Sequence, residues 1–162
     1  MAREYTVTGA ALTLANQAVT LVFVNPGTTC SLEFLRAWAS QAANATSAQQ
    51  RVQLNTQVTA FPTLTSATPG KTKLLDPVSA ITGGTAGAAG TSGINASAEG
   101  AGTKTVVFPD AFNVLNGWLW VPTPKETFVM NASAASGFGL HFPAAPTTLT
   151  SWNAGCVYAE MG

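Results

Sequence analysis

Period-two alternation of apolar and polar residues runs through most of this chain and predicts short β-strands. Arg51 to Val58 shows it most clearly, with Val52, Leu54, Thr56 and Val58 on one side and Arg51, Gln53, Asn55 and Gln57 on the other. One face of such a strand covers a core and the other is wet or paired, as in an antiparallel sheet. Gln17 to Asn25 sets Val19, Leu21 and Phe23 against Thr20, Val22 and Val24, and Asn25-Pro26-Gly27 then predicts a turn. Cys30 to Ser40 sets Leu32, Phe34, Arg36 and Trp38 against Glu33, Leu35 and Ala37. Leu32, Leu35 and Ala39 also fit a helical spacing, but the preceding turn and the equally long run 51–58 favour a strand. In Phe112 to Glu126, Leu115, Gly117, Leu119 and Val121 alternate with Asn116, Trp118 and Trp120 until Pro122 and Pro124 end the run. Neither of its faces is polar. Leu119 and Val121 are expected to cover a core, which leaves Trp118 and Trp120 to another layer or another molecule.

The two short pieces around Gly9, 5–8 and 12–15, taken together, and those at 105–108, 127–132, 138–142 and 156–161 bring the expected strands to eight or nine, with Pro109-Asp110 as a turn. The small, polar stretch 41–50 reads as a loop or a short helix. There is no long amphipathic helix and no repeat at a fixed period. The pattern predicts an all-β fold, an antiparallel β-sandwich of jelly-roll type, as a single domain over 1–162. Residues 59–105 stand apart, with Pro62, Pro69, Pro77 and the run AITGGTAGAAGTSGINASAEGAGT. Such a tract buries little apolar surface against its ordering entropy. It is expected as a long Gly/Ala/Thr-rich insertion between strands, either a flexible excursion or an arm that orders on a neighbouring subunit.

Composition sharpens this. Hydrophobic residues make up 46% of the chain and charged ones only 9%, against about 25% in an ordinary soluble domain. Seven basic residues balance seven acidic ones. So few charges do little to keep copies apart, which suits a lattice or an oligomer. Without a basic stripe, no nucleic-acid partner is expected. Ala10 to Val24 is interrupted by Asn16 and Gln17 and far too short for a span, so no membrane role is expected and the chain is placed in a cytoplasm. Cys30 and Cys156 are then expected free and buried, with a single disulfide between them as the alternative.

Candidate chemistry is sparse. His141 is the one histidine, so no two-histidine metal site exists. A triad would need it beside Asp76 or Asp110, and no G-x-S-x-G elbow is present. It reads as a strand residue on a polar face. Glu33, Arg36 and Arg51 read as a cross-strand charge pairing. Gly70-Lys71-Thr72 lacks the earlier glycine of a phosphate loop. No catalytic, cofactor-binding or metal-binding residue is therefore expected, and the chain is not expected to be an enzyme. Trp38, Trp118, Trp120 and Trp152 could form a sugar-stacking platform or pack cores and interfaces. Packing is favoured because few charged groups lie near them, and Trp118 and Trp120 are the expected interface pair.

The opening MAREYTV, the stretch LEFLRAWASQAANATSAQQRVQLNTQV, the Gly/Ala/Thr insertion and the segment NGWLWVPTPKE together resemble the small head decoration, or cement, proteins of tailed bacteriophages. The resemblance is one of overall pattern, covers most of the chain and carries no diagnostic motif or functional residue. It implies a β-sandwich or jelly-roll homotrimer on the virion head surface, assembled in the host cytoplasm. The implied partner is the major capsid protein, and the implied task is stabilising the head shell. The alternative is a carbohydrate- or receptor-binding module of a virion.

Overall fold

A computed structural model describes residues 3–43 and 46–161. Among them are thirteen strands and no helix: β1 (Arg3–Leu12), β2 (Val19–Val24), β3 (Ser31–Gln41), β4 (Gln49–Val58), β5 (Thr63–Ser66), β6 (Gly70–Lys71), β7 (Thr82–Gly83), β8 (Thr91–Ala98), β9 (Thr103–Asn113), β10 (Trp118–Trp120), β11 (Phe128–Met130), β12 (Ser136–Phe142) and β13 (Trp152–Met161). One sheet runs β10-β3-β13-β1-β6, with β11 also on β3. The other runs β5-β8-β2-β12-β4-β9, with β7 on β8. All pairs are antiparallel except β7–β8. The two sheets pack face to face as a β-sandwich.

The principal strands β1, β2, β3, β4, β9, β10, β12 and β13 divide between the sheets in the order first-eighth-third-sixth over second-seventh-fourth-fifth. That order is consistent with the expected jelly-roll type. The core between the sheets is aromatic. Phe34 of β3 stacks on Phe138 of β12 at 3.9 Å, and Trp152 meets Phe142 edge-on at 5.0 Å. Cys30 and Cys156 are both free and buried, as expected.

Bulges reset the alternation read from sequence. Phe34 faces Tyr158 but Arg36 faces Val157, so Leu35 is an extra residue. Leu32 and Phe34 therefore point inward before it, and Ala37 and Ala39 after it, which turns Arg36 and Trp38 outward. A second shift, at Leu21, sets Thr20 beside His141 and Phe23 beside Gly139, away from Val22 and Val24. The expected turn at Pro109-Asp110 is instead the middle of β9. This strand is the edge of its sheet, where a proline is tolerated. The Glu33/Arg36/Arg51 pairing does not form either. Glu33 and Arg36 lie on β3 and Arg51 on β4, and these strands belong to different sheets.

Residues 59–105 do lie between two principal strands, β4 and β9, but they pack on this chain's own sandwich. They supply β5, β7 and β8 to one sheet and β6 to the other, and bury Leu64, Ile81 and Ala96. Their ends fold over the outer face of the second sheet, where Phe61 meets Phe23 at 5.6 Å. Gln57 Nε2 donates to the carbonyls of Ala60 (3.0 Å) and Glu99 (3.1 Å). The face of β4 expected to be wet is thus partly covered, and Asn55 and Gln57 are buried. Glycine makes the close approach possible. At Gly87, with φ +57°, a Cβ would lie 2.7 Å from Phe61 Cβ. Of the stretch 41–50, residues 44 and 45 lie outside the described residues, and the rest is strand ends, bends and irregular chain.

Candidate binding surfaces

The four tryptophans occupy four different environments. Trp152 is fully buried in the core, with its Nε1–H donating to the Thr148 carbonyl at 2.8 Å. It cannot meet another molecule. Trp118 is only 7% exposed, and its Nε1–H donates to Asp110 Oδ2 at 2.9 Å. Trp120 is half-buried against Phe108 at 6.5 Å. The expected orientation of this segment is therefore inverted, since Leu119 is 62% exposed and Val121 also faces solvent. The cause is register. Trp118 and Trp120 sit opposite Ala39 and Ala37, whose methyl groups leave room on the inner face for two indoles.

Leu119 is instead paired with Trp38 on the outer face. The Trp38 ring lies over Gly155, where a Cβ would come 2.3 Å from Cζ2, and the Arg36 guanidinium stands 5.5 Å from its centroid. On the neighbouring segment β11, Val129 pairs with Glu33 and is also exposed. Leu119, Trp38 and Arg36 thus lie together on this outer face, while Val129 stands further along the same edge of β3, opposite Glu33.

A second apolar surface lies where the edge strand β9 meets β10 and the chain leading to β11. Leu54, Val107, Phe108, Trp120, Val121 and Phe128 line a trough of about 420 Å³ there. A third is the chain between β6 and β7, where Leu74, Leu75 and Val78 are 89%, 98% and 77% exposed. Sequence reasoning missed Leu74, Leu75, Phe108 and Leu119. The pair Leu74-Leu75 set among Lys73, Asp76 and Pro77 was the available signal, because adjacent leucines fit neither face of a strand.

His141 lies on the outer face of its sheet, as expected, but it is buried beneath the insertion. Its Nδ1 stands 3.4 Å from both Thr20 Oγ1 and Glu99 Oε2, and Thr20 Oγ1 donates to the same Glu99 oxygen at 2.7 Å. Lys104 Nζ also binds that oxygen. Burial pushes the imidazole pKa down to about 4; the Lys104 charge adds to this and Glu99 opposes it. At neutral pH the ring is uncharged, so its contact with Glu99 is not an ion pair. A proton relay would need hydroxyl and carboxylate on opposite ring nitrogens, whereas here both address Nδ1. The cluster ties the insertion to β2 and β12. Among the described residues, no group of three or more His, Cys, Asp or Glu gathers to hold a metal ion.

No family model matches this sequence, and no curated protein or solved structure matches it.

Proposed function

We propose that this is a structural assembly protein, and specifically a decoration protein that binds the major capsid protein on the surface of a virion head and stabilises the shell. The observation that carries this reading is the exposed Leu119 set against Trp38 on an open outer sheet face of the sandwich. An exposed leucine beside a tryptophan on an open sheet face offers apolar area that a protein partner can cover. A shell repeats its sites many times over, so a modest contact at each becomes durable attachment. The low charge of the chain removes the repulsion that would oppose crowding on such a lattice.

Co-sedimentation with purified empty phage shells tests the proposal. The unmodified protein is expected to pellet with shells, and Leu119→Asp with Trp38→Ser to stay in the supernatant while keeping its circular dichroism. Pelleting that is indifferent to these substitutions would remove this face from the reading. Failure of the unmodified protein to bind shells would remove the decoration role itself.

One observation favours a second reading, a carbohydrate-binding module. Trp38 lies over a glycine on an open sheet face beside Arg36, and an aromatic ring with a neighbouring donor is what a sugar stacks on. Saccharide-dependent quenching of tryptophan fluorescence, lost in Trp38→Ala, would favour it over the shell.

A further inference from the structure

The trough and the exposed leucines are complementary, and they lie at opposite edges of one molecule. The chain carrying Leu74, Leu75 and Val78 follows β6, the last strand on one side of the first sheet, whereas β10 and β11 close the other side. Four strand spacings separate these edges, roughly 19 Å, so neither surface can cover the other within one copy.

The leucine-bearing loop is also held in place. Thr72 donates to the Glu4 carbonyl from both its backbone N–H (3.1 Å) and its hydroxyl (2.9 Å), and Lys73 pairs with the Glu4 carboxylate at 3.3 Å. The Tyr5 hydroxyl donates to the Pro77 carbonyl at 3.0 Å. The Ala80 N–H and the Ser79 hydroxyl both donate to Glu160 Oε1. A loop fixed this way has its backbone ordered before docking, which lowers the entropy cost of seating its leucines.

We propose that the 72–80 loop of one copy seats Leu74 and Leu75 in the trough of a second copy, giving a head-to-tail contact between identical chains. This rests on the assembly reading above and names the partner for surfaces that reading leaves open. The volumes agree: about 150 Å³ accommodates one benzene, and the trough of about 420 Å³ has room for two four-carbon side chains. Charge does not oppose the contact, because Lys73 and Asp76 balance beside the leucines and Lys125 and Glu126 balance beside the trough. A contact that joins different patches on the two copies closes into a ring when its rotation allows. It leaves the Leu119–Trp38 pair free.

Size-exclusion chromatography with light scattering, on the protein alone, tests this. The unmodified protein is expected to self-associate. Leu74→Asp with Leu75→Asp should be monomeric, and so should Val107→Glu with Val121→Glu. All four positions are exposed, and circular dichroism checks that each variant is folded. Mixed in equal amounts, the two variants should form a dimer of twice the monomer mass and nothing larger, because the pair holds one intact loop and one intact trough. A monomeric unmodified protein, a loop variant that still associates, or a mixture that stays monomeric would each overturn the proposal. If the glutamates unfold the trough variant, oxidative cross-linking of Leu75→Cys mixed with Val121→Cys replaces it, with a disulfide-linked heterodimer expected and its absence counting against the contact. Loss of shell binding with self-association intact would bear only on the decoration role.

Discussion

Adjacent residues in this chain have opposite fates, and Trp118 and Leu119 show it best. The indole is packed over Ala39 with its N–H on Asp110, while the leucine stands in solvent. Trp118→Ala is expected to cost about 3–5 kcal/mol, the range for emptying a buried aromatic site, whereas Leu119→Ser should stay within about 0.5 kcal/mol. Urea unfolding of both variants checks this, and equal losses would mean that the indole is not packed as described. His141 makes an acid-sensitive point. Its folded pKa, about 4, lies below the ordinary value of about 6.5. The unfolded chain therefore binds the extra proton between these values, and stability rises with pH across that window. The contribution is complete above pH 6.5 and fades as the pH falls toward 4, by about 3 kcal/mol in all. His141→Gln should flatten this limb of a stability–pH curve, and an unchanged slope would assign the acid sensitivity to other groups.

Strands here are shaped by single-residue irregularities and by glycines beneath neighbouring chain. The extra residue at Leu35 turns Trp38 outward, and the one at Leu21 puts Thr20 on the same face as His141. The two ends of the insertion lie so close together that a Cβ on Gly102 would sit 1.8 Å from the Thr59 carbonyl oxygen and 2.6 Å from that of Val58 in β4. Those neighbours are backbone and cannot rotate away. Gly102→Ala is expected to destabilise by about 1–3 kcal/mol, the cost of overpacking. It should also raise hydrogen exchange in β8 and the start of β9 selectively. In the unmodified free protein the β8 amides should exchange slowly, since the strand is paired with β2 and β5. Fast exchange there would restore the view of 59–105 as a free arm.

At the scale of the molecule, a nearly uncharged sandwich carries apolar surface in three separate places, and assembly through such surface should be insensitive to salt. Sedimentation at low and high ionic strength is expected to give the same association state. Dissociation on adding salt would point to screened charges as the dominant contact.

The amino-acid sequence by itself determined that the chain is all-β, where most strands lie and that the cysteines are buried. Those properties follow from local alternation, turn residues and composition, which act over a few positions. Only the tertiary structure decided which alternating face of 118–121 is the inner one, that Trp152 is core, and that β9 runs through Pro109. It also decided that residues 59–105 lie on the chain's own sheets. Each depends on a partner far away in sequence: small Ala37 and Ala39 admit Trp118 and Trp120, and Phe61 closes over Phe23. Alternation shows that a strand has two faces; the residues across from it determine which one is buried.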